Sequence, residues 1–261
     1  MFYKFMGGTE EVLLDVFDKA VVDGSINFAS ALRCNDPFEF KYTTVKPSRV
    51  DFDQWHAKYD PLRSTDELEN AWSSFSGNAS DFNTDFWPRL QLMGQSFVLC
   101  LARRWNSHLM WAHYGASHSG FVVCYKPSVT DALAELPNRY AGGDVNYSDQ
   151  VPELRWFAGS QSDMLAPILG TKSTEWAYEE EYRVISHGPE DANAIFAKID
   201  PDQIAGVILG AQASSELEAK AIVVQKIRKD FSVQRVTAKP GEFQLTSYFV
   251  NENVRRFSEF L

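Results

Sequence analysis

The 261-residue chain is short of several features that would settle its class quickly. No apolar run approaches the roughly 18 residues that a membrane-crossing helix needs. The opening Met1–Glu11 stretch also has acids where a secretion leader has a basic end and an apolar core. A cytoplasmic protein with no membrane partner is therefore expected. Cysteine is scarce: Cys34, Cys100 and Cys124 are odd in number, far apart and without C-x-x-C spacing. That argues against a disulfide framework or a structural zinc site and predicts reduced, mostly buried thiols. Basic side chains are outnumbered, 25 against 35 acidic, for a net charge of −10. A broad, unspecific nucleic-acid binder is thereby disfavoured, although a local basic groove remains open. Neither G-x-G-x-x-G nor G-x-x-x-x-G-K-[ST] occurs, so a dinucleotide would not be held in the Rossmann or P-loop manner.

The chain is 44% hydrophobic and 14% aromatic, with seven Trp and nineteen Phe, enough for one large core or two small ones, the large side chains filling either a core or a ligand cleft. Phe2–Met6 reads as a strand broken by Gly7-Gly8, with Thr9 capping a helix over about 10–22 whose inner face carries Val12, Leu13, Val16, Phe17, Ala20 and Val21. Asp23-Gly24 turns the chain into a second strand, Ile26–Ser30. Residues 41–92 read as an inserted helical region, with helical patterning near 66–75 and a Ser/Asn/Gly/Asp-rich stretch over Ser73–Asp85. Compact apolar runs at Phe97–Ala102 and Phe121–Tyr125 predict buried strands around a short helix, Leu109–Tyr114. A strand near 143–147, a helix over about 153–168 and a strand through Tyr182–Ile185 follow. The last third predicts a strand at Gly206–Gly210, a helix to about Asp230 opened by a Ser215/Glu218 capping box, and strands near 232–237 and 243–249. With no repeat or linker, residues 1–261 are expected to form a single α+β domain with one mixed sheet.

Polar chemistry concentrates in three places. In Asn35-Asp36-Pro37-Phe38-Glu39, proline restricts the turn and fixes the polar side chains of Asn35 and Asp36. A simple Asx turn would explain the first three residues but does not require Phe38-Glu39. In Met110–Phe121, Trp111, His113, Tyr114 and His118 crowd a predicted helix end. Five-residue spacing puts His113 and His118 on different helix faces, which disfavours a zinc pair; across a cleft the two could still move a proton. Core packing by Met110, Trp111 and Tyr114 is the plainer account. In Lys172–Ile185, strand alternation sets Glu179, Glu181 and Arg183 on one face, a tuned carboxylate pair beside Trp176 and Tyr178. A solvated strand edge with weak surface pairs is the alternative.

Taken together, Tyr3-Lys4-Phe5, Asn35–Glu39, Met110-Trp111-x-His113-Tyr114 with His118 and Gly120-Phe121, Lys172, Trp176-x-Tyr178-Glu179-x-Glu181-Tyr182-Arg183 and Val207–Gly210 resemble a widespread bacterial and phage-associated family known as a domain of unknown function. The resemblance runs over about residues 2–248. Leu101-Ala102-Arg103-Arg104 stands where such proteins usually carry a Ser-containing stretch. The layout is also distantly similar to ADP-ribosyltransferases. That likeness implies that a Glu of the third cluster, best Glu181, stabilises an oxocarbenium-like transition state as nicotinamide leaves NAD; Glu179 and His113 complete the expected catalytic residues. It implies stacking by Tyr3 or Tyr114 and pyrophosphate neutralisation by Lys4, Lys172 or Arg183. Asn35, Asp36, Glu39, Trp111, His118 and Trp176 complete the expected substrate-binding set.

The leading expectation is thus an NAD-dependent ADP-ribosyltransferase or NAD glycohydrolase acting as a toxin or phage-defence effector. NAD would be its nucleotide-like substrate, the protein or nucleic-acid acceptor is undefined, and no metal is expected. One alternative is a metal-dependent nuclease or phosphoesterase using Asp36, Glu39, His113, His118, Glu179 and Glu181. The other is a non-catalytic module that recognises a nucleotide or a protein.

Overall fold

The aromatic-rich run at the N-terminus forms β1 (Phe2–Met6), and Gly7-Gly8 leads into α1 (Glu10–Phe17), whose last turn continues as a π-helix over Asp18–Val22. The computed structural model describes residues 1–77, 86–136 and 139–250. Leu13, Phe17, Ala20 and Val21 of the predicted helix face are buried, whereas Val12 is exposed. Thr9 sits at the N-cap but gives no side-chain cap; its carbonyl accepts the Leu13 N–H at 2.9 Å. At Gly24, with φ of +66°, a Cβ would lie 2.2 Å from the Ile199 carbonyl oxygen, so glycine is required for the turn into β2 (Ser25–Ser30).

The inserted region holds β3 (Thr43–Val45), α2 (Arg49–Tyr59), α3 (Thr65–Gly77) and α4 (Phe86–Gln95). Residues 78–85 of the predicted Ser/Asn/Gly/Asp-rich stretch lie outside the described residues. The core strands then appear as predicted: β4 (Ser96–Ala102), followed by α5 (His108–Tyr114) and β5 (Phe121–Tyr125). Next come α6 (Val129–Ala134) and β6 (Arg139–Asp144). The strand expected near 143–147 is divided, because β6 ends at Asp144 and β7 (Asn146–Ser148) joins a different partner.

The helix expected over 153–168 starts later. Glu153–Arg155 is β8, paired in parallel with β3, and Phe157 has a positive φ that breaks the chain direction. Ser160 and Asp163 then cap each other's backbone to start α7 (Gln161–Gly170). Beyond it lie β9 (Thr171–Ser173), a 3₁₀ turn over Thr174–Glu179, β10 (Glu181–His187) and β11 (Ala194–Lys198). The chain closes with β12 (Ile204–Leu209), α8 (Ser215–Ile227), β13 (Ser232–Ala238) and β14 (Leu245–Phe249). The cap of α8 is Ser214 rather than Ser215, and Glu218 pairs with Arg235 at 2.8 Å. The helix stops at Ile227 because Arg228 turns extended and donates to the carbonyls of Val21, Pro201 and Ile204.

Ten of the strands form one mixed sheet in the order β11-β2-β4-β1-β5-β12-β13-β14, with β10 joining β4 and β6. The chain is an α+β protein. Its main core lies on the face packed by α1 and α8, where Phe17, Phe28, Phe97, Phe121, Tyr125 and Leu217 meet. Among the described residues no helix is long and apolar enough to cross a membrane.

One irregularity of the sheet positions everything that follows. Along one edge β4 pairs with β10 over its full length, from Glu181 opposite Ala102 to His187 opposite Ser96. Its other edge is shared: β2 takes Phe97 and Val98, and β1 takes Ala102. Between these two contacts the sheet splits, leaving a gap beside Leu99, Cys100 and Leu101.

Candidate functional site

A cavity of about 400 Å³ occupies the split. Tyr3, Lys4 and Phe5 of β1 and Ala29 and Ser30 of β2 wall it, and Val98, Cys100, Leu101 and Ala102 of β4 lie between them. Asn35, Glu39, His113, Tyr114, Lys172, Glu179 and Glu181 also reach it. The three sequence clusters, far apart in the chain, thus converge on one space.

The cavity floor is a buried ion network. Arg183 donates all five of its N–H groups: Nε to Glu181 Oε1 at 2.6 Å, Nη1 to Glu39 Oε2 at 2.9 Å and to the Leu169 carbonyl at 3.1 Å, and Nη2 to Glu39 Oε1 at 2.8 Å and Glu181 Oε2 at 3.0 Å. Lys172 Nζ lies 2.6 Å from Glu179 Oε2 and 3.5 Å from both Glu39 and Glu181. Glu179 Oε1 accepts from the Tyr114 hydroxyl at 2.6 Å, which in turn accepts from the Asn35 amide at 3.3 Å. Within this network three carboxylates face two cations, one acid more than the bases paired with them.

Burial alone would raise the Glu181 pKa, but the Arg183 charge and its hydrogen bonds, helped by Lys172, hold it down to about 2. Glu179 goes the other way, since burial raises its pKa and Lys172 and Tyr114 only partly offset this. Lys172 is raised, because Glu181, Glu179 and Glu39 together outweigh its burial. Burial and the Glu179 charge also keep the Tyr114 hydroxyl protonated well above its usual range.

Local sequence explains how each acid arrives. In Asn35–Glu39, Asp36 Oδ1 accepts the Phe38 N–H at 2.8 Å, the Asx turn expected there, and Arg89 of α4 clamps the loop from outside by donating to the carbonyls of Pro37 and Glu39. Phe40, with φ of +55° and fully buried, lies against the Arg183 guanidinium. The predicted strand face is correct for Glu181 and Arg183 but not for Glu179. Glu180 is left-handed, with φ of 44°, so the strand begins only at Glu181 and Glu179 closes the 3₁₀ turn. The Arg103-Arg104 pair fixes this kink: the Arg103 N–H donates to the Glu180 carbonyl at 2.9 Å, and Arg104 pairs with the Glu180 carboxylate at 3.1 Å. The solvated-edge account is excluded, because Glu179, Glu181 and Arg183 are all buried.

Other expected binding residues lie elsewhere. Trp111 is fully buried behind the cavity with Val122, Ile208 and Val236, its Nε1 donating to the Trp105 carbonyl at 2.8 Å. His118 stacks on Trp111 at 5.8 Å in a run of three left-handed residues, Ala116–His118, and its backbone bonds Trp111 and Gln212. The two do not line the cavity; His113, exposed at its mouth, does. Asp36 is buried in its own turn, and Trp176 backs the floor with its ring 4.7 Å from Lys172 Nζ. Lys172 and Arg183 are engaged by carboxylates and are not free to meet a phosphate.

The structure adds Cys34, Cys100, Arg33 and Tyr147, which the sequence clusters missed. Strand alternation through Val98, Cys100 and Ala102 was the available signal for Cys100; nothing marked Tyr147, whose hydroxyl accepts the Glu181 N–H at 2.9 Å. Of the expected buried thiols only Cys124 is fully so, while Cys34 is half-buried and Cys100 is exposed, lining the cavity. Burial raises Cys34 and Cys124 to about 12, and desolvation within the cavity together with the Glu181 charge raises Cys100, which makes all three poor nucleophiles. Among the described residues no group of three or more His, Cys, Asp or Glu side chains is arranged to hold a metal ion.

Residues 110–184, which include the Met110–Phe121 and Trp176–Arg183 motifs, match the model of a family described as protein of unknown function, DUF2971. The matched stretch is narrower than the 2–248 implied by the motif resemblance. No curated protein and no solved structure matches the chain.

Proposed function

We propose that the cavity binds NAD and that the chain transfers ADP-ribose or hydrolyses NAD there. The observation that supports this best is the excess of carboxylates on the buried floor, where Glu39, Glu179 and Glu181 are paired with only Lys172 and Arg183. When the bond between ribose C1′ and nicotinamide breaks, its electron pair moves to the pyridinium nitrogen and positive charge builds on C1′ and the ring oxygen. A buried anion whose geometry is already fixed stabilises that charge without reorganising.

Glu179 is the carboxylate suited to this role, since Glu181 is matched by a bidentate guanidinium while Glu179 is held only by Lys172 and the neutral Tyr114 hydroxyl. Glu181 then acts as its electrostatic support. Tyr3 and Tyr114 supply aromatic surface for the departing ring, Arg33 supplies positive charge on the cavity wall, and His113 at the mouth accepts the proton that the incoming acceptor loses.

Nicotinamide release from NAD by the purified chain tests the reading. Wild type should release it with or without chelator, and Glu179→Gln, folded by circular dichroism, should be slowed about 100-fold or more. Undiminished release by Glu179→Gln, or no NAD binding by calorimetry, would overturn the assignment. NAD binding without release, even with cell extract as acceptor source, would instead favour a recognition module.

A further inference from the structure

We propose that Lys4 is a nucleophilic amine that forms an imine with the carbonyl carbon of a small aldose or aldose phosphate admitted to the cavity. By strand alternation Lys4 shares its face of β1 with Phe2 and Met6, both packed into the main core. It nonetheless lines the cavity, because the sheet is split beside β1. Among the described residues it has no hydrogen bond and no ion pair, although Glu181 and Cys100 are near enough for their charges to act on it.

Lys172 in the same cavity is the contrast: three carboxylates lie within 3.5 Å and keep it charged. At Lys4 desolvation outweighs the opposing charges of Cys100 and Glu181, which lowers its pKa and increases the share of free amine at neutral pH. A desolvated, unpaired lysine in a cavity is the arrangement that makes an amine nucleophilic. The ligand class follows from the neighbouring walls, where the Asn35 amide, the Tyr114 hydroxyl and the Glu179 carboxylate are groups that bind sugar hydroxyls, with Arg33 at the edge for a phosphate.

The chemistry balances without any further reactant. The amine lone pair attacks the carbonyl carbon to give a carbinolamine; both amine protons leave with the carbonyl oxygen as water, and a C=N bond remains. This reactivity stands on the cavity alone and does not depend on NAD being the substrate.

The test uses the full chain, glycolaldehyde or ribose 5-phosphate, and sodium cyanoborohydride to reduce the imine, with the labelled lysines mapped by peptide mass spectrometry. Lys4 should be labelled at least about fivefold faster than the exposed Lys46 and Lys229, and its rate should level off at lower pH than theirs. Lys172 should stay unlabelled until the protein is unfolded. Lys4→Met should lose the fast phase and leave the other rates unchanged. Labelling of Lys4 no faster than Lys46 would overturn the proposal, and labelling by glycolaldehyde but not by ribose 5-phosphate would overturn the sugar-phosphate class. Loss of the fast phase with NAD cleavage intact, or the reverse, separates this proposal from the preceding one.

Discussion

On the floor of the cavity Arg183 commits five donors and Lys172 reaches three carboxylates, while on the wall Lys4 reaches none. The floor buries its positive charges fully while the wall holds a half-buried one, and the consequences are opposite. A buried ion whose donors are all satisfied keeps its charge and its geometry, so the floor is rigid and its anions are held in place. A partly desolvated ammonium without an ion-pair partner instead has its pKa lowered, so the wall holds its charge less firmly and contributes no rigidity. One cavity therefore combines a fixed electrostatic environment with a free nucleophile, and each half of the contrast can be broken separately.

The largest effect is expected at Arg183. Arg183→Met leaves Glu39 and Glu181 buried with only the more distant Lys172, and removal of one partner from a buried pair costs about 3–5 kcal/mol. Denaturant unfolding should show a loss of that size or failure to fold. The double variant Arg183→Met/Glu181→Gln should recover part of the loss, because one of the stranded charges is gone. A single variant as stable as wild type would mean that water reaches the floor and the network is not dry.

A smaller effect separates the two floor acids by pH. The folded pKa of Glu181 is about 2 against an ordinary 4.5, so its contribution to stability is complete above pH 4.5 and is lost as pH falls from 4.5 toward 2. Glu179, raised by burial, has the opposite sign: its ionisation opposes folding at neutral pH, and that penalty is relieved as pH falls. Glu181→Gln should cost about 1–3 kcal/mol at pH 6 and flatten the loss of stability below pH 4.5. Glu179→Gln should cost less at pH 6 and keep the acid loss. Urea midpoints at pH 3 and pH 6 for the three proteins decide it, and identical profiles for the two variants would remove the distinction.

What the sequence revealed about these regions depended on how local the cause was. The Glu181 and Arg183 positions were legible because period-2 alternation is a local rule, and the Asn35–Glu39 turn because proline and Asx chemistry act within four residues. Glu179 was misplaced by the same alternation, since the left-handed Glu180 is held by Arg103 and Arg104, some 76 residues earlier in the chain. Trp111 and His118 looked like binding groups by type, yet their motif builds a left-handed turn against β12. The parallel pairings of β3 with β8 and β7 with β9 join segments of three residues each, too short for any periodicity to announce them. The split in the sheet, and with it the exposure of Lys4 to a cavity, exists only once β1 and β2 take different ends of β4.

The smallest expected effect is on the wall, and its sign is the sharpest check of the comparison. Lys4→Met replaces an unpaired ammonium by an unbranched apolar side chain on a strand face shared with Phe2 and Met6, so no partner is stranded and a desolvation penalty is removed. Stability should be unchanged or higher by up to about 1 kcal/mol, where the floor variants all lose. Because the folded pKa of Lys4 lies below the ordinary 10.5, the penalty is fully present at low pH and fades as pH rises toward 10.5. The advantage of methionine should shrink along the same interval, read as the difference in urea midpoint between pH 7 and pH 10. A loss of more than about 1 kcal/mol on replacing Lys4 would instead mean that the ammonium has found an anion in solution, and the wall would then obey the same rule as the floor.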